Sequence, residues 1–203
     1  GYIIAEAKKG LKGNIIKFPS ISVGATENAL LAATKAEGTT ILKNCAIEPE
    51  VKDLITFLKK LGLTINLKGR KIIIKHSKIK NSLINHNVIF DRIELGTYMI
   101  AAALVGKKII FHKIESRIIK NEINILKKMG VKIKVKKSTI EVFKSKNIKK
   151  INISTKPYPG FPTDLQAQLM VLMTRAKGTS TIKENIFENR FMHVSELKRM
   201  GAE

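Results

Sequence analysis

Cysteine and tryptophan are nearly missing from this chain: Cys45 stands alone and there is no tryptophan. One cysteine excludes an intrachain disulfide and a cysteine-built metal cluster, and it fits a reducing cytoplasm. The four histidines, His76, His86, His112 and His193, show no ligand spacing, so no metal is expected. Glycine-rich phosphate motifs of the Walker or dinucleotide type are also absent. Long apolar runs are missing too. The longest, residues 99–105 and 169–173, fall far short of the roughly 20 residues of a membrane span, so no membrane insertion is expected. Residues 1–6 read as a strand, not a signal peptide. Aromatics make up only 5% of the chain, and acids are scarce, with 16 Asp+Glu against 38 Lys+Arg.

That imbalance leaves a formal charge of +22, which invites a nucleic-acid or anionic-membrane reading. The cations are mostly lysine, however, with arginine only at Arg70, Arg92, Arg117, Arg175, Arg190 and Arg199. Lysine, isoleucine and asparagine together carry the mark of A/T-rich codons. A nucleic-acid module gathers arginine and aromatics on one face; here lysines sit at helix ends, in turns and along strands alike. No nucleic-acid partner is expected.

What the chain does have is an internal repeat. Ala36-Glu37-Gly38-Thr39-Thr40-Ile41-Leu42, Leu104-Val105-Gly106-Lys107-Lys108-Ile109-Ile110 and Ala176-Lys177-Gly178-Thr179-Ser180-Thr181-Ile182 each end an apolar helix, pass a glycine and enter a β-rich run. Leu58-Lys59-Lys60-Leu61-Gly62, Leu126-Lys127-Lys128-Met129-Gly130 and Leu197-Lys198-Arg199-Met200-Gly201 each end a helix with basic residues and a glycine placed for a left-handed cap. The two glycines lie about 24 residues apart in every unit, and the units recur at about 70 residues. One unit reads as helix, strand, helix and two strands, an α/β class built of α+β repeats. The first helix (25–35, 94–104, 165–175) is apolar all round and predicted buried. The second (50–61, 120–129, 194–200) is amphipathic, with Val51, Leu54, Ile55, Leu58 and Leu61 at helical spacing. Strand pairs are expected at 63–67 with 71–75 and at 131–135 with 139–143. Such units cannot bury both helix faces alone, so they are expected to share helices. Residues 79–87 are polar and aperiodic, a candidate domain crossing or long loop. Two hundred and three residues suffice for one large or two small domains. Yet Gly1 is not Met and the chain stops inside a repeat motif, so a fragment is expected.

Three loops precede the buried helix: Ile21-Ser22-Val23-Gly24, Ile89-Phe90-Asp91-Arg92 and Phe161-Pro162-Thr163-Asp164. Helix N-termini present free N–H groups that suit phosphate. Ser22 is either a plain N-cap, with Gly24 making room for packing, or part of a diphosphate cradle. Asp164 either complements the helix dipole or acts as a general base at a cleft mouth. Residues 185–193, Asn185-Ile186-Phe187-Glu188-Asn189-Arg190-Phe191-Met192-His193, are either a solvated connector or a site in which Arg190 grips a carboxylate or phosphate and Phe187 lies against a base or sugar.

With Glu48-Pro49-Glu50 and Asp91-Arg92-Ile93-Glu94-Leu95-Gly96-Thr97, these motifs resemble the UDP-N-acetylglucosamine 1-carboxyvinyltransferase family (UDP-GlcNAc enolpyruvyl transferases) along essentially the whole chain. The resemblance implies an inside-out α/β barrel of βαβαββ repeats, present in part. Residues 1–88 would be the last repeat of one domain, and 89–203 one complete and one truncated repeat of the other. It implies transfer of the enolpyruvyl group of phosphoenolpyruvate to the 3′-hydroxyl of UDP-GlcNAc with release of phosphate, in the cytoplasm and without cofactor. Asp164 would be the base. Ser22, Val23 and Gly24, the backbone of Ile186 and the ring of Phe187 would line the UDP-sugar site, and Arg190, together with Arg92, would belong to the cationic cluster. Ser20 departs from the family pattern, which has Lys there. The family's reactive loop, its N-terminal Lys-Asn pair and its other phosphoenolpyruvate-binding arginines would lie outside these residues. Cys45 matches no catalytic thiol, and the chain alone is expected to be inactive. A shikimate-pathway enolpyruvyl transferase shares the repeat and the chemistry and stands as the alternative within the fold.

Overall fold

The repeat glycines punctuate the backbone of the computed structural model, which describes residue 2, residues 4–78 and residues 83–203. Gly62, Gly130 and Gly201 take φ of 97°, 87° and 89°, the left-handed conformation that ends a helix and is costly for any residue with a Cβ. The chain divides into two compact units, Gly1–Ile89 and Phe90–Glu203.

Unit 1 runs β1 (Ile15–Lys17), α1 (Val23–Ala33), β2 (Thr39–Lys43), α2 (Pro49–Lys60), β3 (Thr64–Lys68) and β4 (Lys71–Lys75). Its sheet has the order β1-β2-β4-β3. β1 lies parallel to β2, with Ile15 opposite Ile41, and the other pairs are antiparallel. The alternation in β4 places Ile72 and Ile74 in the core between exposed lysines. Val51, Ile55 and Leu58 bring the apolar stripe of α2 onto that face, each such side chain contributing about 1.5–3 kcal/mol on burial. Pro49 opens α2 at a position where its missing N–H costs nothing.

Unit 2 runs α3 (Arg92–Leu104), β5 (Lys108–His112), α4 (Lys120–Lys128), β6 (Ile133–Val135), β7 (Thr139–Phe143), β8 (Ile148–Lys149), β9 (Asn152–Ser154), a 3-10 turn (Thr163–Leu165), α5 (Gln166–Met173), β10 (Ala176–Lys177), β11 (Thr181–Lys183) and α6 (His193–Arg199). β5-β7-β6 form an antiparallel sheet, while β10 pairs with β8 and β11 with β9 in parallel. α3 and α5 share one core of Leu95, Met99, Leu165, Leu169 and Leu172. Gly96 lets them approach: a Cβ there would lie 2.4 Å from Leu165 Cδ1.

Two expectations change. Tyr2 and Ile4–Glu6 form no strand, and Tyr2 and Ile4 stand in solvent. The described residues there have no ladder partner, and the parallel partner of β2 is the shorter, unanticipated β1. α1 is not buried on all sides. Thr26, Leu30 and Ala33 face the core, but Leu31 is 51% exposed, because the described residues of unit 1 offer no second apolar helix to share, as α3 and α5 do in unit 2. Of the aperiodic stretch 79–87, residues 79–82 lie outside the described residues. His86 beyond them is pinned to α2, with its Nε2 3.1 Å from Asp53 Oδ1 and its ring 5.4 Å from that of Phe57.

Candidate active site

The 3-10 turn before α5 carries Asp164 into solvent at the N-terminal end of that helix. Phe161 and Leu165, both buried, anchor the turn on either side, which fixes where the carboxylate emerges. Arg190 reaches it from the loop after β11: its Nη2 donates to Asp164 Oδ1 at 2.7 Å. Both side chains are partly accessible, 37% for Arg190 and 51% for Asp164. The guanidinium also lies 5.1 Å from the centre of the Phe187 ring, a cation–π distance. Asp164, Phe187 and Arg190 are therefore gathered within one accessible patch.

Ile186 stands beside them, and its backbone is already engaged. The amides of Ile186 and Phe187 donate to Glu184 Oε1 at 2.8 and 3.2 Å. The same oxygen accepts from Thr155 Oγ1 at 2.7 Å, and Oε2 accepts from Thr163 Oγ1 at 2.9 Å. Burial alone would raise the Glu184 carboxyl, but the hydrogen bonds from Thr155, Ile186, Thr163 and Phe187 outweigh it and hold it below the usual carboxylate range. Glu184 escaped the sequence reading. Its one signal was an acid directly after a strand in a chain whose strands commonly end in lysine.

Ser22, Val23 and Gly24 lie in unit 1, at the start of α1. Ser22 is an N-cap whose Oγ accepts from the Ala25 amide at 3.2 Å. Thr26 Oγ1 donates to Ser22 O at 2.7 Å and accepts from the Ala46 amide at 3.0 Å, fastening the turn to the loop before α2. A Cβ on Gly24 would meet nothing within 4 Å. Packing inside the unit therefore does not require that glycine, contrary to the packing reading. Near this turn, burial, then Glu50 and Glu48, push the Glu27 carboxyl upward. Asp91, the counterpart of Ser22 in unit 2, accepts from the amides of Ile93 and Glu94 at 2.7 and 3.0 Å.

Arg92, expected beside Arg190 in the cationic cluster, does not face solvent within its unit. It is buried, 3.6 Å from the equally buried Glu122 and 5.7 Å from the centre of the Tyr158 ring. Cys45 is fully buried. Among the described residues, no group of three or more His, Cys, Asp and Glu is placed to hold a metal ion, and no helix is long and apolar enough to cross a membrane.

The chain is 55% identical over 202 residues to the UDP-N-acetylglucosamine 1-carboxyvinyltransferase of Pelagibacter ubique, covering 100% of this chain and 48% of that protein. It is 49% identical, with the same coverage, to UDP-N-acetylglucosamine 1-carboxyvinyltransferase 1 of Caldanaerobacter subterraneus. The chain thus spans about half the length of the curated relatives it matches. Among solved structures it is similar to the enolpyruvyl transferase NikO from Streptomyces tendae. That match has a TM-score of 0.76 and 28% identity, and covers 86% of this chain and 42% of that one. A sequence profile for EPSP synthase (3-phosphoshikimate 1-carboxyvinyltransferase) matches residues 1–203. With that match along its whole length and the mixed α/β repeats above, the chain belongs to the EPSP synthase family of carboxyvinyl (enolpyruvyl) transferases.

Proposed function

We propose that this chain is the part of a UDP-GlcNAc enolpyruvyl transferase that supplies the sugar-facing base and one of its cations. The observation that carries the reading is the placement of Asp164, Arg190 and Phe187 in one accessible patch beside the Ile186 backbone. The 55% identity to a relative named for that reaction supports it. In this reading the Asp164 carboxylate accepts the proton of the sugar 3′-hydroxyl as its oxygen bonds to C2 of phosphoenolpyruvate, and C3 takes a proton from a general acid in the half of the enzyme outside these residues. The tetrahedral adduct holds both phosphate and carboxylate. Loss of a C3 proton and cleavage of the C2–O bond to phosphate then give the enolpyruvyl ether and inorganic phosphate. Arg190 offers a planar fork of donors to the anionic groups, exchanging its contact with Asp164 for them and leaving the base free to take a proton. Ser22, Val23 and Gly24 line the UDP-sugar site, with the open side of Gly24 giving an anion close access to the backbone of the first turn. The Phe187 ring lies against the sugar nucleotide. No cofactor enters this chemistry. The working protein is cytoplasmic, where UDP-GlcNAc and phosphoenolpyruvate are its small-molecule partners. Residues 1–88 form the last repeat of one domain, and residues 89–203 one complete and one truncated repeat of the other.

The test joins residues 1–203 to the remaining half of the Pelagibacter ubique relative, in place of its matching half, and measures phosphate release from phosphoenolpyruvate. Turnover is expected with UDP-GlcNAc and none with shikimate 3-phosphate. Asp164→Asn is expected to lower kcat by about 10²–10⁴-fold, and the 203-residue chain alone to show no turnover. Turnover with shikimate 3-phosphate instead would refute the substrate assignment.

A further inference from the structure

The Glu184 carboxylate joins three separate segments at the proposed site, and no step of the proposed chemistry uses it. The first segment is the end of β9, through the hydroxyl of the fully buried Thr155. The second is the turn that carries Asp164, through the hydroxyl of the adjacent, buried Thr163. The third is the loop carrying Phe187 and Arg190, through the amides of Ile186 and Phe187. Thr155 extends the lock: its Oγ1 accepts from the Asn185 amide at 2.9 Å, and its carbonyl accepts from Asn185 Nδ2 at 3.2 Å. All four groups donate to the carboxylate, which an ionised acid accepts as it stands, whereas a protonated one would have to turn a threonine hydroxyl into an acceptor. A plain loop connector needs at most one such bond, whereas this carboxylate sets the spacing between two chain segments that both present groups to one patch.

We propose that Glu184 is the positioning residue of this site: by bonding Thr163 on one side and the Ile186–Phe187 backbone on the other, it fixes where Asp164 stands relative to the Phe187–Arg190 loop. This rests on the functional reading above for its kinetic consequence, while the clamp itself does not. Without the clamp the 186–187 loop is free to drift from the Asp164 turn, and misplacement of about 1 Å between reacting groups costs on the order of 100-fold in rate.

Two measurements decide it. Amide hydrogen exchange on the 203-residue chain is expected to accelerate at Asn185, Ile186 and Phe187 by about tenfold or more in Glu184→Ala, with the α3–α5 core unchanged. Glu184→Gln keeps an acceptor oxygen for the amides and is expected to stay within about threefold of wild type. In the joined enzyme, Glu184→Ala is expected to lower kcat about tenfold or more and to raise the KM for UDP-GlcNAc, with most of the loss restored by Gln. Unchanged exchange at residues 185–187 in Glu184→Ala overturns the clamp. Accelerated exchange with wild-type kinetics overturns its role in the site. A joined wild-type enzyme with no turnover refutes the functional reading instead, and the exchange result still decides the clamp.

Discussion

Replacing Gly96 by alanine tests the packing that presents Asp164. An added Cβ would lie 2.4 Å from Leu165 Cδ1, 3.0 Å from Cδ2 and 3.3 Å from Cγ. The Leu165 side chain is 1% exposed, so it has no open space to swing into. Overpacking of this kind costs about 1–3 kcal/mol. Alanine in mid-helix returns about 1 kcal/mol over glycine, leaving a net loss of about 1 kcal/mol, up to about 2. The sign should reverse when Leu165 is cut back. Leu165→Ala alone is expected to cost about 2–5 kcal/mol, and Gly96→Ala in that background to recover about 1 kcal/mol, because the colliding carbons are gone. Urea unfolding followed by tyrosine fluorescence is suited to the cycle: Tyr98 and Tyr158 lie in unit 2, and Tyr2 is already solvent-exposed. An equal loss from Gly96→Ala with and without the Leu165 side chain would refute the argument.

The helix-ending glycines should differ by what surrounds them. A Cβ at Gly130 would lie 2.9 Å from the backbone oxygen of Asn147 while one at Gly201 meets open space, so Gly130→Ala is expected to cost at least about 1 kcal/mol more than Gly201→Ala in urea unfolding, the left-handed penalty of about 1–2 kcal/mol being common to both. Glu184 should tie stability to acid. Its folded-state pKa is lowered by its four donors against the opposing effect of burial, so its contribution is complete above the unfolded carboxylate value and is lost as pH falls through the lower folded one. The stability gap between wild type and Glu184→Gln is therefore expected to hold steady near neutral pH and to close below about pH 4; a gap that widens on acidification would contradict this sign.

Much of the fold was legible because periodicity and punctuation agree. The stripe Val51, Ile55, Leu58 marked α2, the run Lys71–Lys75 marked β4, and Gly62, Gly130 and Gly201 took the left-handed caps that the residues before them announced. β1, β8 and β9 were not legible, since strands of two or three residues carry no period and owe their pairing to neighbours distant in sequence. The apolar residues of α1 promised burial, but Leu31 has no neighbour in its unit to cover it. At the site, Asp164, Phe187 and Arg190 were named from residue chemistry and proved to be neighbours. Arg92 looked the same in sequence yet lies buried against Glu122. Whether a cation faces solvent depends on which side of the helix meets the core, and an apolar helix does not declare that side. Glu184 was invisible for a related reason: its four donors are two backbone amides and two buried threonine hydroxyls that only the folded turn brings within reach.

Chirality also acts as a filter on how this sequence can change. Glycine codons begin with two guanines and cannot follow a drift towards adenine and thymine, yet the helix-ending glycines remain, because a Cβ there is penalised. Directly after β2 and β5 the chain also takes positive φ, at 60° and 58°, and there the residues are Asn44 and Lys113, while Asn189 does the same at 55° in the loop that bears Arg190. Asparagine bears that conformation at little cost. Asn44, Lys113 and Asn189 thus hold in the connections a conformation that glycine holds at these helix ends, and further lysine or asparagine is expected to accumulate in those connections first.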